Sequence, residues 1–280
     1  MTVISKGRRR LSAVLALLAF AVAAMPAEGL SDAFARWQQH DESSAMQIDH
    51  GPWEDFLLHY LRPGTDGVHR IAYGEVRERD RQALAGYIDS MGTIDITAYD
   101  RAEQMAYWIN LYNALMVKLV LDHYPIASIR KLEQPGAGAK ASPWSRPLTV
   151  IDGVALSLDD IENHILKAIW PDPRIYYAIT CAAVSCPNLQ PVPFSGRDLD
   201  RQLSDAAMAY INDSRCISIE NGELHVSSLY RWNLDAFGGS ERAVIHHLMA
   251  YAEPDLAMSL QGFDHLYGDR FDWRLNDAVE

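Results

Sequence analysis

The chain has 280 residues, 49% of them apolar, and a formal net charge of −12, from 25 Lys and Arg against 37 Asp and Glu. That length buries a substantial core and fits one domain with extensions better than two full domains. So acidic a balance excludes a nucleic-acid partner, whose phosphates demand clustered cations.

Taken in order, Lys6, Arg8, Arg9 and Arg10 precede an apolar run from Leu11 to Ala24 and then small residues through Ala27. This is the pattern of a secretory signal peptide cleaved between Ala23 and Ala27. The run is shorter than the ~20 residues that span a bilayer, so no stable membrane span remains after cleavage and the mature protein is expected in the periplasm or secreted. The expected organisation is a signal peptide over 1–27, an N-terminal helical extension over 28–68, a core domain over 69–239, and a C-terminal helix and tail over 240–280.

Ser31 to Gln38 and Trp53 to Leu61 read as helical pieces, the second after Gly51-Pro52, and the cluster from Arg62 to Gly67 as a turn. His69 to Tyr73 fits a short strand, and Glu75 to Met91 a helix with apolar residues on one face. The longest predicted helix runs from Arg101 to Tyr124, capped by Asp100 and stopped by Pro125. Its apolar positions cover so wide a surface that it must be central and buried. Lys131 to Ser142, with Gly136-Ala137-Gly138, lacks the flanking strand and helix of a phosphate-binding loop and reads as a mobile surface loop.

Asp152-Gly153 and Asn221-Gly222 each mark a hairpin, the first joining Pro147–Ile151 to Val154–Leu156, the second Cys216–Glu220 to Glu223–Ser227. Ser157 caps a helix that opens with Asp159, Asp160 and Glu162 and runs to Trp170. Ile175 to Thr180 reads as an apolar strand ending on Cys181, in a loop that also carries Cys186. Arg197 to Asn212 is amphipathic, further helices lie around Leu229–Trp232 and Glu241–Tyr251, and an aromatic tail closes the chain. The sum is α+β, a small mainly antiparallel sheet surrounded by many helices.

The chemistry-bearing residues concentrate around Cys181. A cysteine attacks as thiolate, and a strand-end loop of small residues, Ala182, Ala183 and Ser185, admits substrate and offers backbone N–H groups to an oxyanion. A base is needed. On an ideal helix His164 points about 200° away from Glu162, and none of the ten histidines has a specific catalytic context. Glu162, if buried beside the thiol, has a raised pKa and serves as acid or base.

Asn110 and Asn113 share a face of the long helix, either satisfying passing backbone or orienting substrate and catalytic groups. Export permits disulfides, and three cysteines leave at least one thiol over. A Cys186–Cys216 bridge would staple the loop to the sheet, a Cys181–Cys186 bridge would constrain little, and three reduced cysteines are the third arrangement. No C-x-x-C or His-x-x-x-His spacing argues for a metal, and no G-x-S-x-G elbow argues for a serine hydrolase.

The blocks Ala106-Tyr-Trp-Ile-Asn-Leu-Tyr-Asn113, Leu156-Ser-Leu-Asp-Asp-Ile-Glu162, Asp172-Pro-Arg-Ile and Ala178-Ile-Thr-Cys-Ala-Ala-Val-Ser-Cys-Pro187 together resemble domain-of-unknown-function family 547. The resemblance spans about residue 69 to Gly239, and the tail Phe271-Asp-Trp-Arg-Leu-Asn276 is similar to that family's ending. It implies that Asn110, Tyr112, Asn113, Glu162 and Cys181 hold hallmark positions. It also implies that Cys181 outranks Cys186 as the functional thiol, since plant members keep only the first. Two departures stand out: Tyr176 replaces a histidine, and Ala236 an aspartate, common among bacterial members.

The expected function is an exported cysteine-dependent hydrolase or acyltransferase acting on an amide or thioester of a peptide-like, glutathione-like substrate. Its logic is that of papain-like and transglutaminase-like enzymes by analogy alone. Cys181 attacks, Glu162 handles the proton and Asn113 orients, while Asn110, Tyr112 and Tyr176 contact substrate; no cofactor and no metal is expected. The alternative is a non-catalytic periplasmic binding or scaffold module.

Overall fold

A computed structural model describes residues 34–133 and 142–278. The expected signal peptide and the Gly136-Ala137-Gly138 stretch lie outside the described residues. In chain order the helices are α1 Gly51–Tyr60, α2 Glu78–Met91, α3 Arg101–His123, α4 Lys167–Ile169, α5 Ile175–Ala178, α6 Leu199–Ile211, α7 Ser228–Trp232, α8 Glu241–Tyr251 and α9 Pro254–Leu260, with a π-helical segment at Asp160–Leu166. The strands are β1 Leu61–Pro63, β2 His69–Ile71, β3 Thr149–Ile151, β4 Val154–Leu156, β5 Ile217–Glu220, β6 Glu223–Ser227 and β7 Gly268–Arg270.

The α+β reading holds, but the strands form three small sheets instead of one: β1–β2, β3–β4 and β5–β6–β7. Each two-residue hairpin turn takes the left-handed backbone its sequence demands: φ is 49° and 75° at Asp152 and Gly153, and 54° and 81° at Asn221 and Gly222. β7 runs parallel to β6, placing Asp269 opposite Val226, and so brings the C-terminal tail back toward the centre.

α3 is the axis of the fold. The Asp100 carboxylate accepts from the Glu103 N–H at 2.8 Å, and apolar residues all around the helix are buried, Trp108, Leu111 and Val117 completely. The main core gathers α1, α2, α3 and the π-helical segment, so the N-terminal helical piece is built into the core. A second cluster joins α6, the β5–β6 hairpin and α8. α5 sits between the two: Ile175 and Ala178 belong to the first cluster, Tyr176 and Tyr177 to the second. Asp100→Ala is expected to cost about 1 kcal/mol through loss of the cap, a fall of roughly 2–4 °C in Tm by calorimetry.

The run Ile175–Thr180, expected as a strand, begins as the single helical turn α5 and is extended only from Ile179. Asp172 sets the turn: its carboxylate accepts from the Arg174 N–H at 2.9 Å and its carbonyl from the Ile175 N–H at 3.2 Å, with Pro173 between them. Local capping outweighs the apolar run, because its residues are buried in either geometry.

The tail fastens the cysteine loop from the other side. Val184 N–H donates to the Arg274 carbonyl at 2.8 Å, Asn276 N–H to the Ala182 carbonyl at 3.1 Å, and Ile71 N–H to the Asn276 carbonyl at 3.0 Å. Residues from opposite ends of the sequence therefore hold one loop.

Candidate functional site

The carboxylate side of the site starts at Ser157. Its hydroxyl accepts from the Asp160 N–H at 3.1 Å, while its own N–H and O–H donate to Asp160 Oδ2 at 2.9 and 2.6 Å, a reciprocal capping arrangement. Beyond it the chain winds as a π-helix, Lys167 N–H reaching the Glu162 carbonyl five residues back, instead of the regular helix expected there. Such wider turns recur at functional sites, where they re-aim a side chain. Here Glu162 faces inward, while His164 lies outside, its ring stacked 5.1 Å from Phe34.

Glu162 and Cys181 open onto one pocket of about 270 Å³, with Tyr112, Asp159 and Tyr176 beside them. Trp144, Trp232, Phe271 and Trp273 supply aromatic walls: Trp232 stacks on Trp273 at 5.4 Å, and Phe271 and Trp144 lie 4.6 and 5.9 Å from the same ring. These four aromatics and Asp159 were not singled out by the sequence reading. For Phe271 and Trp273 the trace is the density of aromatic residues in the tail, which says nothing about where the tail goes.

Burial pushes the Glu162 carboxyl up to about 7. Desolvation is the main cause and the charge of Asp159 adds to it; a hydrogen bond from Tyr112 and the charge of Lys167 oppose it. The Tyr112 hydroxyl donates to Glu162 Oε2 at 3.2 Å and is itself held far up, first by burial and then by that carboxylate. A carboxyl poised there exchanges protons readily at neutral pH. Tyr176 also lines the pocket, and its hydroxyl is buried with no hydrogen-bond partner among the described residues. Leaving such a group unpaired costs about 1–3 kcal/mol, which makes the Tyr176 hydroxyl a donor in want of a partner beside the pocket.

Cys181 is bonded to Cys186, with Cα atoms 5.7 Å apart, and Cys216 is the free thiol. Of the three arrangements open to the sequence, the Cys181–Cys186 bridge is the one made and the Cys186–Cys216 bridge is not. The loop folds Cys181 and Cys186 within disulfide reach of each other, whereas Cys216 is buried beside Tyr230, whose hydroxyl lies 3.0 Å from its sulfur. Burial pushes the Cys216 thiol far above its ordinary range, which makes it inert at neutral pH.

The loop between the bonded cysteines is tightly committed. Ala182 has φ 57°, a left-handed conformation costing an alanine about 1–2 kcal/mol. Ala182 N–H donates to Thr180 Oγ1 at 3.3 Å, Ala183 N–H to Cys186 Sγ at 3.0 Å, and Ser185 N–H to the Asp272 carbonyl at 3.2 Å. The N–H groups expected to face an oxyanion are therefore engaged elsewhere, because the loop folds onto its own sulfur and onto the tail.

Asn110 and Asn113 work as paired clamps on backbone. Asn113 Nδ2 donates to the Ala178 carbonyl at 2.8 Å, and its Oδ1 accepts from the Thr180 N–H at 2.9 Å. Asn110 does the same to Phe194, at 2.8 and 3.0 Å. Asn113 thus orients the segment entering Cys181, and Asn110 anchors a different loop. Both amides are spent on the protein itself, which leaves neither the substrate contact expected of Asn110 nor a direct chemical step for Asn113.

A larger cavity, about 750 Å³, lies on the other side of the tail and presents Arg215, Arg270 and Arg274. Each is paired within the protein, to Asp213, Glu220 and Asp272 respectively. Chemistry is better placed in the smaller pocket, which a proton-exchanging carboxyl and a cysteine line together.

Residues 96–211 match the family model described as "Protein of unknown function, DUF547". The matched segment contains Tyr112, Glu162, Tyr176 and Cys181, while Trp232, Phe271 and Trp273 lie beyond it. No curated protein and no solved structure matches the chain.

Proposed function

We propose, from the match of residues 96–211 to the DUF547 family model and from the pocket beside it, that this chain is an exported cysteine-dependent hydrolase or acyltransferase acting on an amide or thioester of a peptide-like substrate. The observation that carries this reading is the single pocket shared by Cys181 and a Glu162 carboxyl poised near neutrality. An exposed carboxylate would be a permanent anion and a poor proton carrier at pH 7; this one is not.

The working form is the reduced one, reached when a dithiol takes up the bridge and leaves two cysteine thiols. Cys181 then passes its proton to Glu162 and attacks the carbonyl carbon. The Tyr176 hydroxyl, the pocket's unpartnered donor, hydrogen-bonds the carbonyl oxygen as charge builds there. Collapse breaks the C–N or C–S bond, and Glu162 returns the proton to the leaving amine or thiol. Water or an acceptor nucleophile next attacks the acyl-cysteine, with Glu162 taking its proton. The aromatic walls hold the apolar part of the substrate.

After reduction with a phosphine, Cys181 is expected to react with iodoacetamide at pH 7 faster than a model peptide thiol, at a rate rising with Glu162 ionisation. Cys181→Ala removes the fast label while the protein stays folded, and Glu162→Gln removes the inflection near pH 7, leaving only the rise that the thiol's own ionisation gives. Slow labelling of a reduced, folded protein overturns the nucleophile assignment.

A further inference from the structure

Acyl transfer leaves one feature of the site unused: the asymmetry of the Cys181–Cys186 bridge. Cys181 lines the pocket, whereas Cys186 is 2% exposed and its sulfur accepts the Ala183 N–H at 3.0 Å. A thiol entering the pocket meets the Cys181 sulfur, and the sulfur that must leave is the one with a backbone donor already in place. That donor stabilises a thiolate, and a better-stabilised leaving thiolate leaves faster.

The loop is also held so that it survives opening of the bridge. Arg215 donates to the carbonyls of Val184 and Cys186 at 2.8 and 3.3 Å, Asn113 clamps the Thr180 N–H, and the tail takes the N–H groups of Val184 and Ser185. None of these bonds depends on the disulfide. Cys186 therefore stays near Cys181 after reduction, as a resolving thiol must.

The lining gives the class of thiol. Asp159 and Glu162 face the pocket and three tryptophans wall it; among the described residues none of the lining is Lys, Arg or His, and Arg130 stacks on the Trp273 ring at 5.4 Å. Lys167, with Glu162 and Tyr176, lines an adjoining pocket. A cationic group finds two carboxylates and tryptophan faces here, while an anionic thiol must approach those same carboxylates, with Lys167 set back in the adjoining pocket.

We propose that the Cys181–Cys186 disulfide is a thiol-oxidising centre that takes small cationic aminothiols in the aromatic-walled pocket. The thiolate of the first aminothiol attacks Cys181 Sγ, the Cys181–Cys186 bond breaks, and Cys186 leaves as a thiolate. A second aminothiol attacks the substrate sulfur of the mixed disulfide, releasing a small disulfide and the Cys181 thiolate. Two electrons pass from two thiols to the protein, and their two protons end on Cys181 and Cys186, with Glu162 as carrier. A small disulfide restores the bridge by the reverse steps.

The activity uses Cys181, as acyl transfer does, but starts from the oxidised protein, so the two readings are tested on different forms of the chain. Oxidised protein is mixed at pH 7 with cysteamine or with 3-mercaptopropionate, quenched in acid and alkylated, and the modified cysteines are mapped by mass spectrometry. Each rate is divided by that thiol's rate with oxidised glutathione. Cysteamine is expected to open the bridge about tenfold faster than 3-mercaptopropionate on this scale, with the mixed disulfide on Cys181. Reduced Cys186→Ser protein treated with cystamine should hold that mixed disulfide, while reduced wild type passes through it to the bridge. Equal corrected rates, adducts on Cys186, or a bridge that neither thiol opens overturns the proposal. Iodoacetamide labelling of the phosphine-reduced protein reports separately on acyl transfer.

Discussion

Glu162→Gln is expected to make the protein more stable than wild type at pH 8 by roughly 3 kcal/mol relative to their difference at pH 4. The Glu162 carboxyl titrates near 4.5 when unfolded and about 7 when folded. Because the folded pKa is raised, its contribution is fully present below pH 4.5 and is lost as pH rises through 7. The roughly 3 kcal/mol is an upper figure, since the pocket leaves the carboxyl partly open to solvent and water screens it. Glutamine keeps the acceptor for Tyr112 and does not ionise, so it removes the pH-dependent loss without creating a cavity. The comparison must be differential, because His50 and His247 are both depressed to about 4 by burial. Their stabilising contribution is present above about pH 6.5 and disappears as pH falls towards 4 in both proteins alike. Urea unfolding at pH 4, 6 and 8 reads the result. Parallel stability profiles would show that the carboxyl is not desolvated and would remove the proton carrier from the proposed chemistry.

What could be read from sequence follows from how local each cause is. α3 was legible because Asp100, a continuous apolar surface and Pro125 all lie within or beside the helix. The two hairpins were legible because Asp152-Gly153 and Asn221-Gly222 dictate backbone conformation by themselves. α5 was misread since burial in two clusters makes a helical turn look like an apolar strand, and the decisive Asp172 cap lies just upstream. The site was half legible: Glu162, Tyr112, Tyr176 and Cys181 do meet in one pocket. Its walls were not, because Trp144, Trp232 and Trp273 converge only through the hairpins and the tail's return beside β6. Cysteine pairing is a matter of distance, and residue types cannot rank the partners of Cys186.

Asn113→Ala is expected to destabilise the fold by about 2–6 kcal/mol and also to disturb Cys181. The amide is 2% exposed and satisfies two buried backbone groups, the Ala178 carbonyl and the Thr180 N–H. Alanine strands both, each costing about 1–3 kcal/mol away from water, and leaves a small void besides. Asn110→Ala strands the N–H and carbonyl of Phe194 in the same way, so its loss of stability should be similar. The chemical consequences part company. Thr180 is joined directly to Cys181, and its hydroxyl accepts the N–H of the strained Ala182, whereas Phe194 belongs to another loop. Denaturant unfolding should therefore show comparable losses for the two variants, while only Asn113→Ala changes the iodoacetamide rate of reduced Cys181, measured at low temperature where both remain folded. If both variants slow the labelling equally, Asn113 is no more than a packing residue. If Asn113→Ala alone does, the helix at the centre of the fold sets the position of the reactive sulfur through one amide.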